Sequence, residues 1–111
     1  ILINCSSYNN VDEAEDNPDK AFKVNSFAVA ELAKICELKK KIFFSISTDY
    51  VFGGNNTKEK ISEDCPPSPL NVYGSSKAYG ETKYQSLSSR FNLMDRFLNS
   101  IHTLLRRGFQ Q

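Results

Sequence analysis

The segment YGSSKAYGETK, residues 73–83, places a tyrosine four positions before a lysine twice: Tyr73 before Lys77, and Tyr79 before Lys83. Residues four apart share one face of an α-helix. An ammonium close to a phenol favours the phenolate, and such a phenol can exchange a proton with an alcohol or ketone oxygen. The spacing predicts an acid–base pair on a helix, but by itself does not say which pair carries the chemistry.

Two hydroxyl side chains lie upstream, within the stretch SISTDYVF, where Ser47 and Thr48 end a short apolar run. In open α/β sheets, ligands bind outside the carboxyl ends of the strands. A hydroxyl at that position can donate a hydrogen bond to a substrate carbonyl oxygen. A strand-end hydroxyl followed by Tyr-x-x-x-Lys on the next helix indicates a Ser/Thr–Tyr–Lys arrangement for hydride chemistry.

The elements that must position these groups follow from hydrophobic periodicity. Residues 1–5 and 42–47 are apolar runs typical of parallel strands buried on both faces. Between them, Asn17 and Pro18 start a helix whose apolar spacing continues to about residue 38. A further helix is predicted from near Tyr73 to about residue 91. Strand, helix, strand, helix predicts an α/β fold with parallel strands and flanking helices.

Composition narrows the function classes. With 111 residues, the chain forms at most one small domain. Its net charge of +1 gives no strong electrostatic attraction to nucleic acid. Three separated cysteines without C-x-x-C indicate no metal site, a reducing cytoplasmic setting and cysteine side chains in the core. The lone His102 lacks partners for a metal or acid–base role.

An apolar stripe over residues 93–105 predicts a helix packed on the sheet, with a membrane-surface or partner helix as the alternative.

Several motifs together carry a family resemblance. The stretches INCSSYNNVDEAEDNP, KVN, STDYVFGG and SEDCPPSPLNVYGSSKAYGE lie in residues 1–84. In this order they resemble the extended short-chain dehydrogenase/reductases, and most closely the dTDP-4-dehydrorhamnose reductase group. The resemblance implies a partial Rossmann-type fold whose first βα units are missing. Residues 1–111 are then expected to be a fragment of an NAD(P)-binding domain, clear over 1–91 and followed by a helix over 92–111.

The resemblance also implies roles for individual residues. Tyr73 and Lys77 fall on the catalytic pair of the family, whereas Tyr79 falls on a packing position before Gly80. Lys77 would also hydrogen-bond a ribose hydroxyl, and Asn25 would brace the sheet near the site. The remaining implied positions are Thr48 as the catalytic hydroxyl and Asp49, Tyr50 and Phe52 at the substrate. The residues implied at the cofactor are Asn4, Cys5, Ser6, Tyr8, Ser47, Tyr73 and Lys77.

The activity implied by the resemblance is reduction of a nucleotide-activated 4-keto sugar in dTDP-rhamnose biosynthesis, with NADP or NAD as cofactor. A cytoplasmic enzyme and a possible homodimer are also implied. A non-catalytic relative, such as the regulatory β subunit of methionine adenosyltransferase, stays open. A dehydratase is disfavoured, because Asp49-Tyr50 stands where dehydratases carry Asp-Glu. The glycine-rich dinucleotide fingerprint and the strand that follows the catalytic helix in the family are both missing.

Overall fold

Two short parallel strands form the centre of the molecule. The computed structural model describes residues 1–54 and 65–87. Strand β1, Leu2–Asn4, pairs in parallel with β2, Phe43–Ser45, with Leu2 opposite Phe43 and Asn4 opposite Ser45. The predicted α/β class with parallel strands is therefore confirmed, and both strands are shorter than the apolar runs that predicted them.

The connection between the strands is almost entirely helical. Helix α1, Val11–Asp16, is capped by the Asn10 side chain, which accepts from the backbone N–H of Glu13. Helix α2, Pro18–Phe22, passes into a π-helical segment, Lys23–Phe27, and then into α3, Ala28–Leu38. The predicted helix from Pro18 to Leu38 is thus present, with one widened turn in its middle.

The last described helix, α4, spans Val72–Leu87. A short 3-10 turn, Asp49–Phe52, precedes it in the sequence. The Asn71 side chain accepts from the backbone N–H of Gly74 at 2.7 Å, and a Glu15 carboxylate oxygen accepts from that of Val72 at 2.7 Å. Both groups stabilise the helix start, because the first N–H groups of a helix have no partner within it.

The predicted continuation of this helix to about residue 91, the predicted helix over 92–111 and His102 all lie outside the described residues.

Two small apolar clusters hold the helices together and against the sheet. The first joins α3 to β2 and α4 through Val29, Ala33, Cys36, Phe43 and Tyr84. Its aromatic pair, Phe43 and Tyr84, meets edge to face with ring centroids 6.1 Å apart. The second cluster joins α1, α2 and α4 and consists of Ala14, Ala21 and Tyr73. The side chain of Tyr73 is therefore part of the packing that attaches α4.

The strands are not buried on both faces as predicted. Ile3 is 62% exposed and Ile46 54% exposed, while Phe43 is fully buried. Ile3 pairs with Phe44 in the register, so side chains on that face of the strands point away from the cluster around Phe43. The described helices cover one face only. Cys5 is likewise exposed rather than in the core, because it lies just beyond the end of β1, whereas Cys36 is buried.

None of the helices within the described ranges is both long and apolar enough to cross a membrane.

Candidate active site

The carboxyl end of β2 is attached to α4 by two consecutive residues. The ammonium of Lys77 donates to the backbone carbonyl oxygen of Ile46 at 2.6 Å. The hydroxyl of the next residue, Ser47, donates to the carboxylate of Glu81. Lys77 and Glu81 are one helical turn apart, so both bonds form on the same face of α4. The helix is thereby aligned with the strand end that the sequence marked as a ligand site.

Lys77 is an unusual lysine because it is only 6% exposed. Its burial lowers the pKa of the ammonium, and the nearby Glu81 carboxylate partly opposes this by raising the pKa. Burial disfavours a charged amine, whereas an opposite charge favours it. A buried lysine at the edge of a sheet, bonded to a backbone carbonyl, is typical of a functional position rather than a solvated helix face.

Tyr73 lies one turn before Lys77 and is 9% exposed. Its ring packs among Ala14 and Ala21 and meets the ring of Tyr50 edge to face, with centroids 5.5 Å apart. The structure therefore places Tyr50, one of the predicted substrate residues, in contact with Tyr73. Within the part of the chain that the structure describes, the Tyr73 hydroxyl makes no hydrogen bond, which leaves it available to a ligand.

A polar network fixes the helix between these two residues. Asn25 is 2% exposed and forms a two-sided bond to the backbone of Tyr8, accepting from its N–H at 2.8 Å and donating to its carbonyl oxygen at 3.0 Å. The same amide donates to the hydroxyl of Ser76 at 2.9 Å. Asn25 belongs to the π-helical segment, and it satisfies the rule that a buried amide must be hydrogen-bonded. The Tyr8 loop and α4 are therefore connected through one side chain.

Two glycines allow α4 to lie closer to its neighbours than a side chain would permit. A Cβ atom at Gly80 would overlap the backbone carbonyl oxygen of Asn25. One at Gly74 would lie 2.5 Å from the backbone carbonyl oxygen of Tyr50. The 3-10 turn and the π-helical segment both contact the backbone of α4 at these points, and the close approach of helix backbones requires glycine.

The other predicted site residues surround this centre unevenly. Thr48 accepts from the backbone N–H of Tyr50 at 3.4 Å and donates to Asp49 at 3.4 Å, so in the described residues its hydroxyl is bonded within its own turn. Asn4 donates to Ser45 across the strands at 3.3 Å and accepts from the Ser6 hydroxyl at 2.6 Å. Asn4 thus organises the strand end, Cys5 and Ser6 are exposed beyond it, and Phe52 is half-buried.

Tyr8 packs beside Tyr73 in the second cluster. Its hydroxyl interacts with the Glu13 carboxylate on α1, and this contact, together with burial and the negative charge, raises the pKa of Tyr8 to about 12. The two groups do not meet the distance and angles of a full hydrogen bond, so the Tyr8 hydroxyl is buried without a well-formed partner. Tyr8 is therefore neutral at physiological pH and contributes a phenol, not a phenolate, to this side of the site.

The second tyrosine–lysine pair has a different environment. Tyr79 is 40% exposed, and its ring packs edge to face against Phe22 and Phe27, with centroids 6.0 Å and 6.3 Å away. The Lys83 ammonium lies 5.2 Å from the centroid of the Tyr79 ring. This is the geometry of a surface cation–π contact, in which the ammonium meets the ring face.

Sequence reasoning missed Glu81 and Ser76, which hold the strand end and Asn25 against α4. A signal for Glu81 was present, since an acidic residue four positions after Lys77 lies on the same helix face. Ser76 carried no comparable signal, because serine is common near helix starts and its partner is distant in the sequence. No cluster of metal-ligating side chains occurs in residues 1–54 and 65–87.

Known proteins share this arrangement of elements and motifs. Residues 1–95 match the family described as RmlD substrate binding domain. The chain belongs to this family. The dTDP-4-dehydrorhamnose reductase of Mycolicibacterium smegmatis is 41% identical over 81 residues, which are 73% of this chain and 25% of that protein. This RmlD-family chain therefore spans about a quarter of the length of that relative.

Proteins similar to this chain differ in their described roles. The crystal structure of dTDP-4-dehydrorhamnose reductase from Bacillus anthracis in complex with NADP is 37% identical, with a TM-score of 0.72, over 78% of this chain and 31% of that one. The methionine adenosyltransferase 2 subunit beta of Rattus norvegicus is 37% identical over 73% of this chain and 24% of its own length. The fold is thus that of one part of a dTDP-4-dehydrorhamnose reductase, and the proteins similar to this chain include both reductases and a subunit of another enzyme.

The residues present fit one half of a nicotinamide dinucleotide. The Lys77 ammonium has three N–H bonds and uses one on the Ile46 carbonyl oxygen, so two can bind a ribose diol. Tyr73 and the loop after Asn4 lie at the same end of the sheet. The chain contains no G-x-G-x-x-G segment to hold a pyrophosphate. The described residues can therefore hold the nicotinamide ribose, whereas the chain offers no fingerprint for the phosphates.

Proposed function

We propose that the intact protein is an NAD(P)H-dependent reductase of a nucleotide-activated 4-keto sugar, similar to dTDP-4-dehydrorhamnose reductase. The observation that carries this proposal is the buried ammonium of Lys77, one helical turn from Tyr73, at the carboxyl end of β2. A buried lysine beside a tyrosine is costly for a fold and useful for proton transfer. The identity to characterised reductases supports the same conclusion.

In this proposal, each residue of the centre has one chemical task. The cofactor, when bound, supplies a hydride to the keto carbon of the sugar. Tyr73 donates a proton to the oxygen as it becomes an alkoxide, and the positive charge of Lys77 stabilises the phenolate that remains. Thr48 donates a hydrogen bond to the same oxygen once its bond within the 3-10 turn is exchanged for the substrate.

The surrounding residues would bind the two partners. Lys77 would also donate to the ribose of the cofactor, which the loop from Asn4 to Tyr8 would cover on one side. Tyr50, in contact with Tyr73, would form one wall of the sugar pocket, with Asp49 and Phe52 beside it. The NADP complex of the Bacillus anthracis relative favours NADP over NAD as the cofactor.

A second candidate function follows from the rat relative. Methionine adenosyltransferase 2 subunit beta is nearly as similar to this chain as the reductases are. The intact protein would then act as a non-catalytic subunit that binds another enzyme. The buried Lys77, one helical turn from Tyr73, favours catalysis, since burying an ammonium costs free energy that a neutral hydrogen-bond donor at the strand end would largely avoid.

Turnover by the intact protein separates these candidates. Purified protein is mixed with dTDP-4-dehydrorhamnose and NADPH, and loss of NADPH absorbance is followed together with formation of the reduced sugar nucleotide. Reduction that requires both substrates is expected, and omission of the sugar nucleotide is the control. An intact protein that gives no turnover with NADPH or NADH, yet forms a stable complex with a methionine adenosyltransferase catalytic subunit, would overturn the proposal in favour of the second candidate.

A further inference from the structure

Glu81 is the one acidic side chain that acts on the buried Lys77 among the residues the structure describes. It stands one turn after Lys77 on α4 and is itself half-buried. The Ser47 hydroxyl donates to its carboxylate, so the side chain is directed toward the strand end rather than into solvent. A partly buried carboxylate on the same helix face as a buried ammonium interacts with it more strongly than two exposed charges on a helix surface interact with each other.

The same contact affects the segment that carries the proposed catalytic hydroxyl. Ile46 and Ser47 are each bonded to α4, through Lys77 and Glu81, and Thr48 is the next residue. Two consecutive bonds fix the direction in which the chain leaves β2. Loss of the Ser47 bond would leave Thr48 held only by its own turn and by the carbonyl bond at Ile46.

The elements at this end of the sheet carry other titratable side chains. Tyr73 lies on the same helix, Asp49 and Tyr50 lie on the 3-10 turn, and Cys5 follows β1. The described charge that opposes the desolvation of Lys77 is nevertheless that of Glu81. Removing this charge while keeping the side-chain shape should therefore act on the ammonium selectively.

We propose that Glu81 is a positioning residue of the reductase, which places a negative charge on the face of α4 that carries Lys77 and, through Ser47, fixes the strand end that presents Thr48. The role rests on the proposed function only for its effect on turnover, because the charge of Lys77 can be measured without any reaction. In this role Glu81 acts through Ser47, which donates to its carboxylate, and through Lys77, on the same face of α4.

Two substitutions test the negative charge of Glu81 and its hydrogen bond with Ser47 separately. Glu81→Gln keeps an oxygen that accepts from Ser47 but removes the negative charge, whereas Ser47→Ala keeps the charge and removes the bond. Glu31→Gln, an exposed glutamate on α3, is the matched control for loss of a carboxylate. Each variant is made in the intact protein, and circular dichroism with thermal unfolding confirms that it is folded before further measurement.

The first measurement is the pH titration of Lys77, followed by the NMR chemical shift of its side-chain Cε atom, which needs no reagent to reach the buried amine. In Glu81→Gln, the midpoint of this titration should move to lower pH by about one unit, because an ammonium that loses its counter-charge gives up its proton more readily. Glu31→Gln should leave the midpoint unchanged. A Glu81→Gln midpoint equal to that of the parent protein would overturn the proposal, whether or not the protein reduces a sugar.

The second measurement is the pH profile of kcat/KM for reduction with NADPH. Glu81→Gln should shift its alkaline limb to lower pH, while Ser47→Ala should lower kcat by about tenfold with the limb unmoved. Equal profiles for Glu81→Gln and the parent would contradict the role in turnover. If the parent gives no turnover while the titration midpoint still shifts in Glu81→Gln, the proposed function fails and the pairing of Glu81 with Lys77 stands.

Discussion

The two tyrosine–lysine pairs of α4 have the same spacing and opposite surroundings. Lys77 is buried and bonded to a backbone carbonyl at the strand end, and Tyr73 packs in an apolar cluster. Lys83 instead lies over the exposed ring of Tyr79, among the aromatic rings of α2 and the π-helical segment. A Tyr-x-x-x-Lys motif therefore becomes a candidate for chemistry through the burial of its side chains and through the groups that they contact, because both pairs have the same spacing.

Helix geometry explains why one helix can hold both environments. Six residues at about 100° each place Tyr79 roughly 120° around the helix axis from Tyr73. The first pair faces the strand end and the 3-10 turn, whereas the second is partly exposed and packs against Phe22 and Phe27. Each of the following substitutions is chosen to test that division.

The largest effect is expected from removal of a single hydroxyl. Tyr73→Phe in the intact protein should lower kcat for sugar reduction by about two to four orders of magnitude, because it removes the proposed proton donor. Tyr79→Phe, the matched change in the second pair, should leave kcat within about twofold. Steady-state kinetics with NADPH measure both. A large loss in Tyr79→Phe with a normal rate in Tyr73→Phe would exchange the roles of the two pairs.

A smaller effect is expected where α4 meets Asn25. Gly80→Ala should lower the free energy of unfolding by about 1–3 kcal/mol, because its methyl group would overlap the Asn25 carbonyl oxygen and force the helices apart. Gly53→Ala is the control, since its Cβ would lie in ordinary contact with Leu70, 3.4 Å away. Urea denaturation measures both variants. Equal stabilities would mean that the close contact at Gly80 is absent in solution.

The smallest effects are expected on stability, and they distinguish Lys77 from Lys83. For Lys77, the effect depends on pH. The native pKa of Lys77 is lowered from 10.5, so above the native pKa the unfolded chain holds a proton that the folded protein has lost. Stability of the parent relative to Lys77→Met should therefore rise as pH increases from the native pKa toward 10.5, where the cost of burying the ammonium is removed. Denaturation midpoints across alkaline pH measure this, and a flat difference would contradict the burial of Lys77.

Lys83→Met is the matched variant in the second pair. It removes a cation–π contact at an exposed site, so a loss of about 0.5 kcal/mol in the free energy of unfolding is expected at neutral pH. A loss several times larger would show that the second pair is structurally important and that its environment is less solvated than its exposure indicates.

Much of this arrangement could be predicted from local sequence signals. Pro18 after Asn17 fixed the start of the long helix, and the spacing of Tyr73 and Lys77 gave their shared helix. The π-helical segment could not be predicted, because KVNSF contains neither glycine nor proline and its widening depends on partners distant in the sequence. The exposure of Ile3 was also missed, since an apolar run indicates which residues favour burial but not how many neighbours cover them.

Within the candidate site, sequence indicated residue types and the structure supplied their partners. The pairing of Tyr50 with Tyr73 and that of Ser47 with Glu81 join residues more than twenty positions apart. Such contacts depend on the strand register and on the angle of α4, and neither is encoded in a local pattern. The roles of Thr48, Asp49 and Phe52 stay predictions of the resemblance.

Ser76, between Tyr73 and Lys77, restricts the movement of α4. Its hydroxyl accepts from Asn25 and donates to the Tyr73 carbonyl oxygen, while its own carbonyl oxygen accepts from Ser26 at 2.5 Å. Any rotation or sliding of α4 would break these bonds together, so Tyr73 and Lys77 should move as one unit with the π-helical segment. Conformational adjustment on ligand binding would then occur in the turns around α4, which are less restrained than the helix.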